Sequence, residues 1–274
     1  MKHPERPKRH RPPARNLEVL RTAEVSPSMR RVTLGGDELT GFLDDHTGPN
    51  IKVFVPQQHQ NRPALPALDP DTGRYSWPEL HERPTMRTYT VRRYDEANCE
   101  LDVDFVMHGD GVASTWAGDA RPGDQLGIMG PGGKTCRSAD WYLLVGDETA
   151  LPAIGNIVEN LPATARGQVF VEVADAHERQ HVACPHDLRW TWLERDGAPA
   201  GGTEQLMDAV RGLELPADGD VSAWVAGESG IVRGIRRHLR TDRGLGADSV
   251  LAVGYWKRGL VETEYHDKHN HDRD

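Results

Sequence analysis

The 274-residue sequence has little of what several classes of protein require. Its three cysteines, Cys99, Cys136 and Cys184, lie far apart and form no C-x-x-C pair, so neither an iron–sulfur cluster nor a structural zinc site is expected. Such a sparse, odd number is typical of a reducing cytoplasm, where we expect the protein to act. No apolar run approaches the roughly 20 residues that span a bilayer, and no apolar signal segment follows the basic N-terminus.

Positive charge is also in short supply. The chain has 33 Lys and Arg against 42 Asp and Glu, a formal net charge of −9, which argues against general nucleic-acid binding. A P-loop, an H-E-x-x-H pair and a G-x-S-x-G elbow are all absent, so the motifs of P-loop NTPases, zinc proteases and α/β-hydrolases give no support to those activities. The G-x-G-x-x-G fingerprint of the standard dinucleotide-binding fold is missing as well.

The hydrophobic pattern changes near residues 134–140, which predicts a domain boundary there. Before it, several short strand-like segments with a single short helix over 114–120 are typical of a closed antiparallel barrel. The loop between the third and fourth strands, residues 57–84, is rich in Pro, Gln, Asp and Arg and should lie on the surface. The predicted strands cover 17–25, 30–36, 51–56, 86–94, 100–107 and 125–133.

After Ser138, apolar strands alternate with helical segments, which predicts a parallel α/β sheet. A helix should begin after Asp147, with Pro152 in its first turn, where a missing N–H does no harm. Two further helical segments cover 203–213 and 231–239. The predicted strands cover 141–146, 168–173, 188–194, 221–228 and 249–256.

These patterns predict a β domain over 17–137 and an α/β domain over 138–260, between a disordered basic arm (1–16) and a polar tail (261–274). An anion-docking role is the alternative for the arm. The tail carries His266, His269 and His271 among acidic residues, so metal capture is the alternative to a solvated tail.

One stretch, residues 86–116, concentrates side chains that suit a flavin nucleotide. Arg87 and Arg92 carry guanidinium groups that match phosphate oxygens, and Tyr89 offers a flat ring with a polar end. A short hydroxyl at Thr90 could bond a flavin ring edge. In the following turn, Gly109 and Gly111 allow close backbone approach, Gly111 with an expected positive φ, and Ser114 sits where a helix N-terminus would meet an anion.

Two longer motifs in this stretch resemble the siderophore-interacting protein family, flavin-dependent ferric-siderophore reductases of the ferredoxin–NADP reductase superfamily. They are Arg-Thr-Tyr-Thr-Val-Arg at 87–92 and His-Gly-Asp-Gly-Val-Ala-Ser-Thr-Trp-Ala at 108–117. Two later motifs match the same family, Gly-Asp-Glu-Thr-Ala-Leu-Pro-Ala at 146–153 and Gly-Tyr-Trp-Lys-Arg-Gly at 254–259. The resemblance therefore covers most of the chain, with four motifs in the family's order.

The resemblance implies a six-stranded Greek-key FAD-binding barrel followed by a parallel-sheet NAD(P)H-binding α/β domain. For residues 146–150 and 226–228, the alternative roles are helix capping and turn formation. For Trp256, the alternative role is packing in the core. A basic rim of Lys257 and, more speculatively, Lys52 would steer anionic ferric siderophores. The implied cofactor-binding residues are Arg87, Thr88, Tyr89, Thr90, Arg92, His108, Gly109, Gly111, Val112, Ala113, Ser114, Asp147, Thr149, Ala150, Gly227, Glu228 and Trp256.

The leading hypothesis is an FAD-dependent ferric-siderophore reductase that takes hydride from NADH or NADPH and passes single electrons to Fe(III). Oxygen chelators hold Fe(III) far better than Fe(II), so reduction would release the metal without a protein iron ligand. One alternative is a general flavin or ferredoxin-coupled oxidoreductase of the same fold. The other is a non-enzymatic carrier of ferric siderophores. The expected partners are a ferric siderophore and, as an alternative electron donor, ferredoxin, with no nucleic acid and no membrane insertion.

Overall fold

The computed structural model describes residues 12–43, 48–109 and 111–260. Most of the predicted basic arm and the whole predicted His-bearing tail lie outside these residues. Within them, no helix is both long enough and apolar enough to cross a membrane.

The described residues of the first half form a seven-stranded antiparallel sheet, a small two-stranded sheet and one α-helix. The sheet strands run in the order β6-β3-β9-β1-β2-β8-β7, and the two-residue strands β4 and β5 pair with each other inside the 57–84 loop. The elements are β1 (Ala14–Ser26), β2 (Met29–Gly35), β3 (Asn50–Val55), β4 (Ala67–Leu68), β5 (Tyr75–Ser76), β6 (Thr85–Thr90), β7 (Arg93–Asp95), β8 (Glu100–Val106), α1 (Val112–Asp119) and β9 (Gln125–Gly132).

The sheet closes through one continuous stretch of chain. Strands β6 and β7 lie at opposite ends of the sheet, yet Val91 and Arg92 alone separate them along the chain. Val91 donates its N–H to the Pro49 carbonyl at 2.8 Å, and Arg92 donates to the Asp102 carbonyl at 2.9 Å, so the hydrogen bonds continue across the break. Counting β6 and β7 as one strand gives the six strands that the family resemblance implies.

The alternating side chains of these strands fill the barrel. Leu101, Val103 and Phe105 of β8 are fully buried, as are Leu17 and Val19 of β1. This is the period of two that the sequence shows. The first strand begins at Ala14, not Leu17, because residues 14–16 pair with 127–129 of β9. Residues 14–16 therefore belong to the barrel, and the prediction that placed them in a disordered arm was wrong.

The second half is a five-stranded parallel sheet in the order β12-β11-β10-β13-β14. One apolar cluster packs α2 on one face, and a second packs α3 and α4 on the other. Pro152 occupies the first turn of α2, as predicted. The elements are β10 (Trp141–Gly146), α2 (Leu151–Glu159), β11 (Arg166–Val173), β12 (Asp187–Glu194), α3 (Gln205–Gly212), β13 (Val221–Glu228), α4 (Ser229–Arg237) and β14 (Val250–Trp256).

A buried carboxylate fastens the second domain to the first hairpin of the barrel. Glu178 lies in a short turn after β11 and is 4 % exposed. Its Oε2 accepts from the Ser26 hydroxyl at 2.5 Å and from the Ser28 N–H at 3.2 Å, at the turn between β1 and β2. Because an unpaired buried charge is costly, these bonds fix the contact between the two domains.

Candidate functional site

Strand β6 presents the flavin motif at an edge of the barrel sheet. It pairs with β3 on one side, and its other edge has no strand partner in the described part of the chain. In this register Arg87 lies opposite Val53 and Thr88 opposite Lys52. Helix α1 packs against β6 and β8, so the strand and the Gly-rich turn that precedes α1 come together. The two halves of the predicted FAD site are therefore adjacent.

The side chains along β6 have different surroundings. Arg87 is half-buried, and its Nη1 donates to the Met86 carbonyl at 3.0 Å. Tyr89 is also half-buried and packs its ring on Phe105, with 4.4 Å between centroids. Thr90 is buried, 6 % exposed. The tyrosine ring is thus held on the barrel core, and the arginine retains access to solvent.

The predicted substrate residue Lys52 is held on the neighbouring strand β3. Its Nζ donates to the Thr88 hydroxyl at 2.5 Å across the β3–β6 pair. This bond places a positive charge on the face of β6 opposite to Arg87, because successive side chains of a strand point to opposite faces. The Thr88 hydroxyl, predicted to contact the flavin, thus already accepts a hydrogen bond from Lys52. The sequence did not predict this bond.

Arg92 does not join this group. Its side chain is 9 % exposed, and it donates to both carboxylate oxygens of Glu159 on α2, at 2.6 and 2.7 Å. Its Nε lies 3.9 Å from Asp104 Oδ2. Because both terminal nitrogens are engaged by one carboxylate, the structure gives Arg92 a structural partner in place of the predicted phosphate.

The turn before α1 leaves backbone N–H groups available to an anion. Gly111 is the residue before the helix, no side chain caps it, and the first turn holds no acidic residue. The first N–H groups of a helix have no acceptor within the helix. A phosphate at this end would find those donors and the favourable end of the helix dipole. Val112, 45 % exposed, and the exposed His108 flank the turn, and Ala113 is buried beneath it.

The glycines of this turn serve two different needs. Gly109 has the positive φ, +45°, whereas Gly111 has an ordinary φ of −68°, so the expectation of positive φ at Gly111 was wrong. A glycine is needed at position 111 for steric reasons, since a Cβ there would lie 2.9 Å from Ser114 Oγ and 3.0 Å from His108 Cε1. Ser114 is buried and donates to the carbonyls of Gly111 (2.8 Å) and His108 (3.3 Å), so its hydroxyl braces the turn.

A flavin nucleotide fits what this edge offers. The Arg87 guanidinium and the uncapped start of α1 suit phosphate oxygens, and Gly111 leaves a surface that a side chain would otherwise fill. The half-buried ring of Tyr89 is held on Phe105, so it is preset to lie against another flat ring. These features belong to the chain itself and do not depend on any ligand.

A second group of predicted residues meets at the carboxyl edge of the parallel sheet, around Asp147. Its Oδ1 accepts from the Thr149 N–H (2.9 Å) and hydroxyl (2.5 Å). Its Oδ2 accepts from the Glu228 N–H (3.0 Å) and the Trp256 indole N–H (2.8 Å). Burial raises the pKa of Asp147 above its ordinary value, and the hydrogen bonds from Thr149 and Trp256 oppose that rise. One carboxylate thus ties together the ends of β10, β13 and β14.

Gly227 is needed for this arrangement. Its φ is +137°, and a Cβ there would lie 2.6 Å from Asp147 Oδ2. The next side chain, Glu228, caps α4 by accepting from Gly230 N–H (2.6 Å) and Ile231 N–H (3.0 Å). Ala150 is fully buried at the start of α2. Helix capping, the alternative considered for 226–228, accounts for the contacts of Glu228 with α4. Turn formation accounts for the bonds of Asp147 to Thr149 but not for its bonds to Glu228 and Trp256.

An uncompensated carboxylate at Glu148 would repel a nearby pyrophosphate, but its charge is compensated. Arg195 donates to both of its carboxylate oxygens, at 2.8 and 2.6 Å, and also lies 3.7 Å from Glu172. Burial raises the pKa of Glu172, and a hydrogen bond from Thr203 opposes the rise. Sequence reasoning missed Arg195, Glu172 and Glu159. Each is an isolated charge in its own segment, and no motif links it to a partner so far along the chain.

The remaining predicted residues lie at the mouth of this edge. Trp256 is half-buried at the end of β14, with its indole held by Asp147, and Lys257 follows it, also half-buried. Within the described ranges no group of three or more His, Cys, Asp or Glu side chains is arranged to hold a metal ion. The tail histidines, for which metal capture was an alternative, lie outside those ranges.

Comparison with known proteins decides the family. Residues 18–135 match the siderophore-interacting FAD-binding domain, and residues 139–259 match the siderophore-interacting protein model. The chain belongs to the siderophore-interacting protein family. Together the two matches cover both domains and all four sequence motifs.

Full-length relatives support the same assignment. The chain is 40% identical over 258 residues to ferric vibriobactin reductase ViuB of Vibrio cholerae, covering 93% of each chain. It is 35% identical over 252 residues to the NADPH-dependent ferric-chelate reductase of Escherichia coli, covering 88% of this chain and 92% of the relative.

Solved structures of the family share the fold. A siderophore utilization protein from T. fusca superposes with a TM-score of 0.82 at 38% identity, covering 90% of this chain and 94% of that one. The siderophore-interacting protein SipS from Aeromonas hydrophila gives 0.81 at 35% identity, covering 95% and 97%. A ferredoxin reductase of carbazole 1,9a-dioxygenase, at 14% identity and a TM-score of 0.60, shares the fold alone; it covers 86% of this chain and 68% of that one.

Proposed function

We propose that this protein is an FAD-dependent reductase of ferric siderophores that takes its electrons from NADH or NADPH. One observation carries the proposal. An uncapped helix N-terminus and the Arg87–Tyr89 strand lie on a barrel that is joined to a parallel sheet, in a chain whose full-length relatives include two ferric reductases. FAD, when bound, accepts a hydride from a nicotinamide and passes electrons one at a time to Fe(III).

The barrel residues would hold and orient the cofactor. Arg87 and the first N–H groups of α1 would bind its phosphates, and the Tyr89 ring, fixed on Phe105, would support the flavin ring. The Thr90 hydroxyl remains our proposed contact to the ring edge. Ser114 and Gly111 would act indirectly, because they shape the turn that presents the N–H groups.

The carboxyl edge of the sheet would receive the nicotinamide nucleotide. In open parallel sheets ligands bind outside the carboxyl ends of the strands. Asp147 would contribute by holding the Trp256 indole in one orientation, as a wall of the site, and not by direct contact with the nucleotide. Gly227 would allow the close packing that this contact needs.

The iron would remain on its chelator throughout. Hard oxygen ligands bind Fe(II) less tightly than Fe(III), so reduction alone weakens the complex and no protein ligand is required. Lys257 at the end of β14 and Lys52, held by Thr88, would form a positive rim that attracts anionic complexes to an otherwise acidic protein. We place this activity in the cytoplasm, where reduced pyridine nucleotides and free thiols coexist.

A turnover assay tests the proposal. The purified protein should take up FAD, turn yellow and reduce a ferric siderophore with NADH or NADPH in the presence of a ferrous-iron trap. Running the assay with reduced ferredoxin as the donor, and with free flavin as the acceptor, separates the two alternative oxidoreductases. Tight binding of the chelate with no ferrous product from any donor would identify a carrier and refute the proposal.

A further inference from the structure

The strand order of the second sheet indicates where the two ends of a dinucleotide would lie, if the proposed use of NADH or NADPH holds. The order β12-β11-β10-β13-β14 puts the reversal of strand order beside β10. In the standard dinucleotide-binding sheet, whose Gly-rich fingerprint this chain lacks, the adenosine ribose lies near the end of the second strand along the chain, the place that β11 holds here. A carboxylate at that end binds a ribose 2′-hydroxyl, whereas an arginine accommodates a 2′-phosphate. Charge at this end therefore selects between the two nucleotides.

Both arginines in the segments that follow β11 and end β12 already pair with carboxylates. The segments that follow β11 and end β12, residues 174–180 and 193–197, contain Arg179 and Arg195 and no lysine. The Arg179 side chain, half-exposed, is paired with Glu194 at the end of β12. Arg195 is buried and bound through two hydrogen bonds to Glu148. The other ionisable side chains of these two segments are Asp175, His177, Glu178 and Asp196.

A 2′-phosphate would bind weakly at this end of the sheet. It brings a charge of about −1.5 to −2 and needs a guanidinium or similar donor to offset its desolvation. Beside Arg179 it would meet the negative charge of Glu194, which already pairs with that guanidinium. To obtain Arg195 it must break a buried pair with two hydrogen bonds and leave Glu148 unpaired. No lysine lies between Lys134 and Lys257 to substitute. A 2′-hydroxyl has no such need, because it can donate to a carboxylate such as the exposed Asp175.

We propose that this protein prefers NADH to NADPH, and that the Glu194–Arg179 pair sets the preference. Glu194 acts by placing a negative charge on Arg179, which of the two arginines in segments 174–180 and 193–197 is the one exposed enough to reach a 2′-phosphate. Removing its charge while keeping its shape should release Arg179. Glu194 is thus assigned as a specificity-determining residue, without any part in the electron transfer itself.

Binding of nucleotide fragments to the FAD-loaded protein tests this by calorimetry, independently of turnover. ADP-ribose should bind about tenfold more tightly than 2′-phospho-ADP-ribose, or roughly 1.4 kcal/mol. Glu194→Gln should tighten the phosphorylated ligand about three- to tenfold and leave ADP-ribose unchanged, since a charge-assisted bond becomes available. Glu214→Gln is the matched control. It loses the same charge from the segment between α3 and β13, at the opposite edge of the sheet. The double change Arg179→Ala with Glu194→Gln should abolish the gain.

Three outcomes would overturn the inference. The phosphorylated ligand could bind the unmodified protein as tightly as ADP-ribose does. This comparison requires no variant. Glu194→Gln could behave like Glu214→Gln. Both ligands could fail to bind protein that carries FAD, which would place the nucleotide elsewhere. Failure to take up FAD at all is a separate result, and it would overturn the proposed function together with the inference.

Discussion

Arg92 and Glu159 form an ion pair with two hydrogen bonds, at 2.6 and 2.7 Å, that joins the barrel to helix α2. Arg92 lies between β6 and β7, at the point where the barrel closes, and its side chain is almost fully buried. The pair therefore links the flavin-motif strand directly to the helix that begins beside Asp147. It also explains why an arginine within the family motif need not touch the cofactor.

Glu159→Ala should destabilise the protein by on the order of 3 kcal/mol, because it leaves the buried Arg92 charge without its main partner. A second carboxylate oxygen, Asp104 Oδ2, lies 3.9 Å from Arg92 Nε, but it already accepts a hydrogen bond from Arg31. The measurement is urea unfolding followed by circular dichroism, with the exposed Glu214→Ala as the control. A stability equal to that of the control would show that the pair contributes nothing.

Arg92→Met should leave FAD affinity unchanged, in contrast to Arg87→Ala. Loss of Arg87 removes charge-assisted hydrogen bonds of about 1.5–3 kcal/mol each, which corresponds to roughly 10- to 150-fold weaker binding per bond. Titration of the FAD-free protein, followed by flavin fluorescence, gives both affinities. Arg121→Ala, an exposed arginine elsewhere on the barrel, controls for the loss of charge. Normal affinity in a folded Arg87→Ala protein would remove Arg87 from the phosphate site.

Gly111→Ala should weaken the thermal stabilisation that FAD gives. The added Cβ would lie 2.9 Å from Ser114 Oγ, so the hydroxyl that braces the turn must move and the N–H groups of α1 with it. A ligand at 100 times its Kd stabilises by about 2.7 kcal/mol, and most of this should disappear. Gly246→Ala is the control, since its φ is −62° and no atom lies within 4 Å of the new Cβ. An undiminished rise in Tm with saturating FAD would place the cofactor elsewhere.

Lys257→Ala should raise KM for an anionic ferric catecholate more than for a neutral hydroxamate complex. The difference should shrink with added salt, because screening acts over about 8–10 Å at physiological ionic strength. Lys134→Ala, an exposed lysine between the domains, removes the same charge away from the sheet edge. Equal effects on the two substrates, with unchanged FAD content, would exclude Lys257 from the substrate site.

Local patterns were enough to predict most of the fold. The alternation in β8 and the continuous apolar run of β10 each follow from whether a strand is buried on one face or on both. Sequence pattern could not show that residues 14–16 belong to β1, because their partners at 127–129 lie more than a hundred residues away. Nor could it show the break at Val91 and Arg92, where one strand divides between two neighbours.

The candidate site was predictable at the level of segments but not of contacts. The structure brings the motif strand β6 together with α1, and the segment of Asp147 together with that of Gly227, as the sequence reading grouped them. The side-chain partners could not be predicted from the sequence, because Arg92 and Glu148 could each have faced a ligand or a charged side chain of the protein. Their actual partners, Glu159 and Arg195, occur in no motif, and tertiary packing alone pairs them.

The central claim is that electrons pass from a nicotinamide to the bound flavin and then to ferric iron, and anaerobic half-reactions test it most directly. NADH added to the FAD-loaded protein should bleach the flavin absorbance. Addition of a ferric siderophore should then restore the absorbance, with two equivalents of trapped Fe(II) for each flavin, because the flavin gives up two electrons and each Fe(III) takes one. A flavin that NADH and NADPH both leave oxidised, or a reduced flavin that the ferric complex does not reoxidise, would contradict this account.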